Sequence, residues 1–159
     1  MKNSIVIQHC LKALCLMMAL ALLFSAPAWA ETGNTGSDEE NAMIRIHVIV
    51  ADEVLTATLD DTPAGRDFAA LLPLELKLSD YHATEKIADL PRKLDTGQAP
   101  SSYTPQAGDI TYYAPWGNLA IFYKPFQAAK GLVRLGAFDD PIDALRQDDA
   151  FAVRILLAD

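Results

Sequence analysis

Apolar residues recur at every second position through most of the chain from Met43 onward. In IRIHVIV (44–50), Ile44, Ile46, Val48 and Val50 share one face and Arg45 and His47 take the other, the pattern of a half-buried strand. Ala51, Asp52 and Glu53 turn the chain, and VLTATL sets Leu55, Ala57 and Leu59 inward against Thr56 and Thr58, which predicts a hairpin. Leu74, Leu76 and Leu78 alternate with Glu75 and Lys77; Ile110 and Tyr112 with Thr111 and Tyr113; Leu119 and Ile121 with Ala120 and Phe122. LVRLGAF (132–138) and FAVRILLA (151–158) bring the predicted strands to seven.

Two short helices interrupt these strands. In DTPAGRDFAALLP, Thr62 can cap and Pro63 suits the first helical position, where its missing N–H is not needed. Ala64, Phe68, Leu71 and Leu72 then share one face, and Pro73 ends the helix. In DDPIDALRQ, Asp140 caps, Pro141 starts, and Ile142 and Leu145 form a small apolar face. Short strands with two brief helices do not alternate as βαβ units. They predict a mainly β protein, a closed antiparallel barrel with helices over its open ends.

The stretch 79–108 breaks the pattern, with scattered apolar residues and prolines at 91, 100 and 105. A long aperiodic segment in a compact domain is usually functional or mobile.

The N-terminus reads differently. Lys2 and Lys12 flank or precede the apolar run 13–24, and SAPAWA ends in Ala28, Trp29 and Ala30: the order of a secretory signal peptide, cleaved after Ala30. The run is shorter than the roughly 20 residues a bilayer needs, and Cys10 and Cys15 lie before or within it, so neither follows it as a lipid anchor would. Residues 31–42, ETGNTGSDEENA, read as a flexible acidic spacer, and 43–159 as one domain. The expected product is periplasmic or secreted, without membrane attachment after cleavage.

Both cysteines leave with residues 1–30, so stability must come from a hydrophobic core. With only His47 and His82 left, no metal site is expected, and no Gly-rich phosphate loop or redox motif predicts a cofactor. The full chain carries 13 basic and 21 acidic residues, and loses two of its lysines on cleavage. That surface repels phosphate backbones, which argues against nucleic acid as a partner.

Several stretches resemble cyclophilins. DDTPAGRDFAAL (60–71) is similar to their first helix, with Pro63, Phe68 and Leu71 fitting and Asp67 where an Asn would stand. GDITYYA and NLAIFY are similar to a pair of their strands, Gly108, Ile110 and Phe122 matching best. TEKIADLPRKL and GDITYYAPWGNLAIFY look characteristic of a compact bacterial cyclophilin-like group, and the resemblance covers about 43–159. It implies a cyclophilin-type barrel. Proline isomerases of that family use an Arg on a barrel strand in a Phe-His-Arg motif, beside a Phe-Met-x-Gln-Gly-Gly run, and neither motif stands here. Rotation about X-Pro faces a barrier near 20 kcal/mol from amide resonance, which a placed guanidinium weakens. Arg66 falls on the predicted helix and Arg92 in the long segment, so neither is placed on the matching strand, and Arg92 is the most plausible substitute donor.

A candidate ligand groove lies between 79–108 and the hairpin 109–123. Trp116, between Pro115 and Gly117 at the predicted tip, either folds back as a plug or walls the groove with Tyr113 and Phe122. Tyr81, Glu85 and Arg92 belong to the long segment and become polar or aromatic anchors if it packs on the hairpin. A Glu beside a Lys, here Glu85 and Lys86, is ordinarily a solvated loop pair. The expectation is an exported binding module for a peptide or small ligand, monomeric or weakly dimeric. The alternative is a peptidyl-prolyl isomerase with a rearranged active site.

Overall fold

The computed structural model describes residues 43–159; the expected signal peptide and spacer lie outside the described residues. β1 (Ile44–Val50) and β2 (Glu53–Leu59) form the expected hairpin, with Ile46, Val48, Leu55, Ala57 and Leu59 buried in the core. α1 (Pro63–Ala69) follows. Its start obeys its sequence: Thr62 Oγ1 accepts a 3.0 Å bond from the Gly65 N–H, and Pro63 sits in the first turn. Phe68 is fully buried.

β3 (Leu74–Tyr81) runs into β4 (Glu85–Asp89), a strand that the hydrophobic pattern does not announce. β5 (Ser102–Tyr103) and β8 (Ala129–Lys130) pair as a small separate ribbon. β6 (Asp109–Tyr113) and β7 (Asn118–Phe122) form the second hairpin, and β9 (Leu132–Phe138) and β10 (Phe151–Leu157) complete the set. The eight long strands close in the order β1-β10-β3-β4-β7-β6-β9-β2, every pair antiparallel.

Two expectations need correction. The barrel has eight strands, because 79–108 is not an aperiodic loop: β3 extends into it and β4 lies within it. The second helix is only a 3-10 turn, Asp143–Leu145, preceded by Ile142 with no side-chain cap, and Asp140 does not start a helix. Ile142 and Leu145 are both buried, so one turn is enough to bury the segment's apolar side chains. The polar and charged residues Arg146, Gln147, Asp148 and Asp149 that follow offer no further apolar position.

β6 and β7 are buried on both faces. Ile110, Tyr112, Leu119 and Ile121 enter the barrel core, as expected. The outward Ala120 and Phe122 pack with Leu132, Tyr103 and Ala129 in a second apolar cluster. The ribbon that contributes Tyr103 and Ala129 therefore covers part of the outer barrel face, and the remaining outer surface is where cavities form.

Candidate functional site

One cavity of about 300 Å³ lies on that outer face, and Tyr81, Glu85, Tyr113, Trp116 and Phe122 all line it. The register explains the meeting. Glu85 pairs with Phe122 across β4 and β7, Tyr113 pairs with Asn118 across β6 and β7, and Tyr81 pairs with Glu85 across β3 and β4. Alternation turns Glu85, Phe122, Tyr113 and Asn118 outward, opposite to Lys86, Ile121 and Tyr112.

Trp116 is not a plug, since 59% of it is exposed. Its backbone N–H and that of Gly117 both bond the Tyr113 carbonyl, and Gly117 adopts φ +79°, a conformation that favours glycine. The indole leans edge-on against Tyr81 (5.6 Å between ring centroids) and Tyr113 (5.3 Å). Phe126 stacks on Phe122 at 6.3 Å. His82, Asn118, Phe126 and Leu132 also line the cavity and were missed in the sequence. Only position makes them site residues: a turn histidine, a strand-start asparagine and two apolar residues carry no local signal.

The cavity's polar groups lack partners. Among the described residues the Glu85 carboxylate makes no hydrogen bond or ion pair, and burial, helped by the charge of Asp80, pushes its pKa up to about 7. Asn118 is 3% exposed, and its Oδ1 is buried without a hydrogen-bond partner.

Lys86, beside Glu85, is not the solvated partner its neighbour suggested. β4 turns it inward, 1% exposed, where Nζ bonds Asp80 Oδ2 at 2.9 Å and the Gln147 carbonyl. Nζ also stands 5.3 Å from the Tyr123 ring centroid and 6.0 Å from that of Phe151. Asp80 serves several donors at once: Lys86, the Tyr123 hydroxyl and the Ala83 N–H. Burial raises its pKa, but these bonds and the Lys86 charge hold it below the ordinary carboxylate value.

Arg92 is not brought to this cavity. Its guanidinium makes a bidentate pair with Asp67 of α1, at 2.9 and 2.6 Å. The same bonds, together with the Asp95 N–H, hold the Asp67 pKa below its usual range against a smaller opposing effect of burial.

A second cavity, of about 400 Å³, lies beside α1 and shares Leu132 with the first. Here the notable residue is Arg134, also missed, although it is the one charge inside the apolar run LVRLGAF. It points outward from β9 and joins Asp60 and, at 3.4 Å, Asp109. Burial works against the charge of Arg134, but its bond to Asp60 and the two carboxylate charges keep it more firmly protonated than usual. Tyr103 donates to Asp109 at 2.8 Å; burial, that bond and the carboxylate's charge push its phenol up to about 12. Arg134 and its two carboxylates therefore satisfy one another, and Asp95, also in this wall, accepts the Gly97 N–H. Among the described residues, no cluster of His, Cys, Asp or Glu could hold a metal ion.

The architecture defines a small closed antiparallel barrel with an aromatic cavity on its outer wall. The cyclophilin-like family model matches residues 48–156, and the chain belongs to that family. No curated protein matches the sequence. Among solved structures, the hypothetical protein AF2241 from Archaeoglobus fulgidus superposes with a TM-score of 0.58 at 16% identity, over 73% of this chain and 95% of the other. At that identity the likeness speaks for the fold.

Proposed function

We propose that the chain is a binding module, and that the aromatic cavity between the β3–β4 ends and the β6–β7 hairpin takes a peptide side chain or a small ligand. One contrast carries this reading. In the other cavity Arg134 is paired with Asp60 and Asp109, and Asp95 accepts the Gly97 N–H, whereas among the described residues Glu85 and Asn118 Oδ1 have no partner in a wall shared with aromatic side chains. A buried acceptor without a partner costs about 1–3 kcal/mol, and a ligand donor would recover that. A cavity that is mostly apolar with few converging polar groups is the usual form of a ligand site. The reading includes export with cleavage after Ala30 and a monomeric or weakly dimeric state. Mass spectrometry of a processed product beginning at Glu31 tests the export.

The binding test is a thermal-shift screen of peptides and small molecules against the native chain and Trp116→Ala. Hits should raise Tm in the native chain and lose most of their effect in the variant. Ligands whose shifts survive the substitution would move the site elsewhere.

One observation favours the isomerase alternative: Arg134 lies on the outward face of a barrel strand, at a cavity that also has Pro63, Ala64 and Val133 in its wall. Its guanidinium is engaged by Asp60 and Asp109, so weak or absent prolyl isomerisation is expected. A prolyl-peptide assay with rates like those of ordinary cyclophilins, abolished by Arg134→Ala, would reverse the preference.

A further inference from the structure

Resting on that reading, we infer that the aromatic cavity selects an organic cation bearing N–H donors, an alkylammonium or guanidinium head on an apolar body. Glu85 is its counter-ion and Asn118 Oδ1 a further acceptor. The ring faces and edges of Tyr81, Tyr113 and Trp116 surround the cavity at mutual distances of 5.3 and 5.6 Å. Aromatic faces attract cations through the ring quadrupole, and more strongly where water is excluded.

The two groups withdrawn from solvent without a partner are both acceptors. Glu85 brings a carboxylate with no bond of its own among the described residues, and the unsatisfied Asn118 atom is an acceptor. An anion would meet carboxylate repulsion from Glu85 and Asp80, and a neutral apolar ligand would leave both acceptors unmet. A quaternary ammonium would satisfy the rings but offer Asn118 no hydrogen.

No resident cation fills the role. Among the described residues no basic side chain bonds the Glu85 carboxylate: Lys86 points into the barrel toward Asp80, Lys124 bonds the Ala83 carbonyl, and neither Lys93, near Gly117, nor Lys130, beside Ala129, is in the cavity wall. Among the described residues His82 is the only basic side chain in the cavity wall. The carboxyl of Glu85, its pKa pushed up to about 7, gains from a cation the charge compensation it lacks. The chain's net charge of −8 favours approach of a positive ligand at low salt.

The experiment compares 2-phenylethylammonium with the neutral 2-phenylethanol, two probes of closely similar shape. Binding is read by the emission of Trp116 in a Trp29→Phe chain, which leaves Trp116 the sole tryptophan. At about pH 8 the ammonium should bind about tenfold tighter or more, from one charge-assisted bond and one cation–π contact. Glu85→Gln should reduce the preference to about twofold, and lowering the pH through about 7 should do the same in the native chain. Protonating His82 would also repel a cation, so the pH step must persist in His82→Asn to be assigned to Glu85. Equal affinity of the two probes, or a preference untouched by Glu85→Gln, overturns the cation assignment. It leaves the binding module standing if other ligands depend on Trp116. A screen in which nothing binds at Trp116 fails the module itself and the inference with it.

Discussion

Lys86→Ala offers the sharpest stability test, because a lysine side chain only 2% exposed should behave as part of the core. Truncation removes three buried methylenes, about 0.8 kcal/mol each, or roughly 2.4 kcal/mol of burial. It also leaves the Gln147 carbonyl without its bond from Nζ and takes one donor from Asp80. Breaking a buried pair from one side typically costs about 3–5 kcal/mol. Asp80 keeps the Tyr123 hydroxyl and the Ala83 N–H, so the lower end, about 3 kcal/mol, is expected. Lys86→Met keeps an apolar side chain of similar length and removes the cost of desolvating an ammonium, so it should lie within about 1.5 kcal/mol of the native chain. Urea midpoints at neutral pH measure both. The acid limb adds a signed check. Asp80 has a lowered folded pKa, so its stabilisation is present above its unfolded pKa and is lost as pH falls through the folded one. Without the Lys86 bond and charge that lowering shrinks, and Lys86→Met should lose less stability on acidification than the native chain. If both variants match the native midpoint, Lys86 is solvated and β4 is not a closed barrel strand. If Met costs as much as Ala, the charge itself stabilises the barrel and the burial argument is wrong.

Phe68→Ala should lower stability by about 3–5 kcal/mol, because the ring is fully buried where α1 meets the barrel; an almost unmoved urea midpoint would detach the helix from the core. Glu85→Gln should stabilise the chain at about pH 8. The raised carboxyl makes native stability greatest below its unfolded pKa and lower once pH passes about 7, by about 1–2 kcal/mol after allowing for the cavity's opening to solvent. Equal stability of the two chains at pH 8 would mean that Glu85 is well solvated. Gly136→Ala would set a Cβ 2.2 Å from the Thr58 carbonyl oxygen and 2.7 Å from Leu59 Cα, both backbone, in the short β2–β9 ladder. A loss of about 2 kcal/mol or more follows from forced overpacking, and a tolerated alanine would show that this seam can open.

What the sequence determined by itself is the part governed by short-range rules. β1, β2 and β3 declared themselves because one face is apolar and the other polar, and α1 because Thr62, Pro63 and Phe68 stand at cap, first-turn and core positions. The closed antiparallel barrel follows from many such strands with few helices. β4 stayed hidden for two physical reasons. Its inward positions hold Lys86 and Ala88 in place of large apolar residues, and the turn before it sets His82 and Ala83 at positive φ, where Gly or Asn would have been the signal. That turn is held instead by Asp80 Oδ1 on the Ala83 N–H, a bond no local pattern predicts. The aromatic cavity was half legible. Tyr113, Trp116 and Phe122 are close in sequence, and Tyr81 and Glu85 join them through strand pairing. Whether Trp116 is buried or open, that Arg92 turns to Asp67, and that Arg134 stands between Asp60 and Asp109 were decided only by the tertiary structure. Ion pairs and cavities form between residues 25 to 74 positions apart, and those separations become contacts only after the barrel closes.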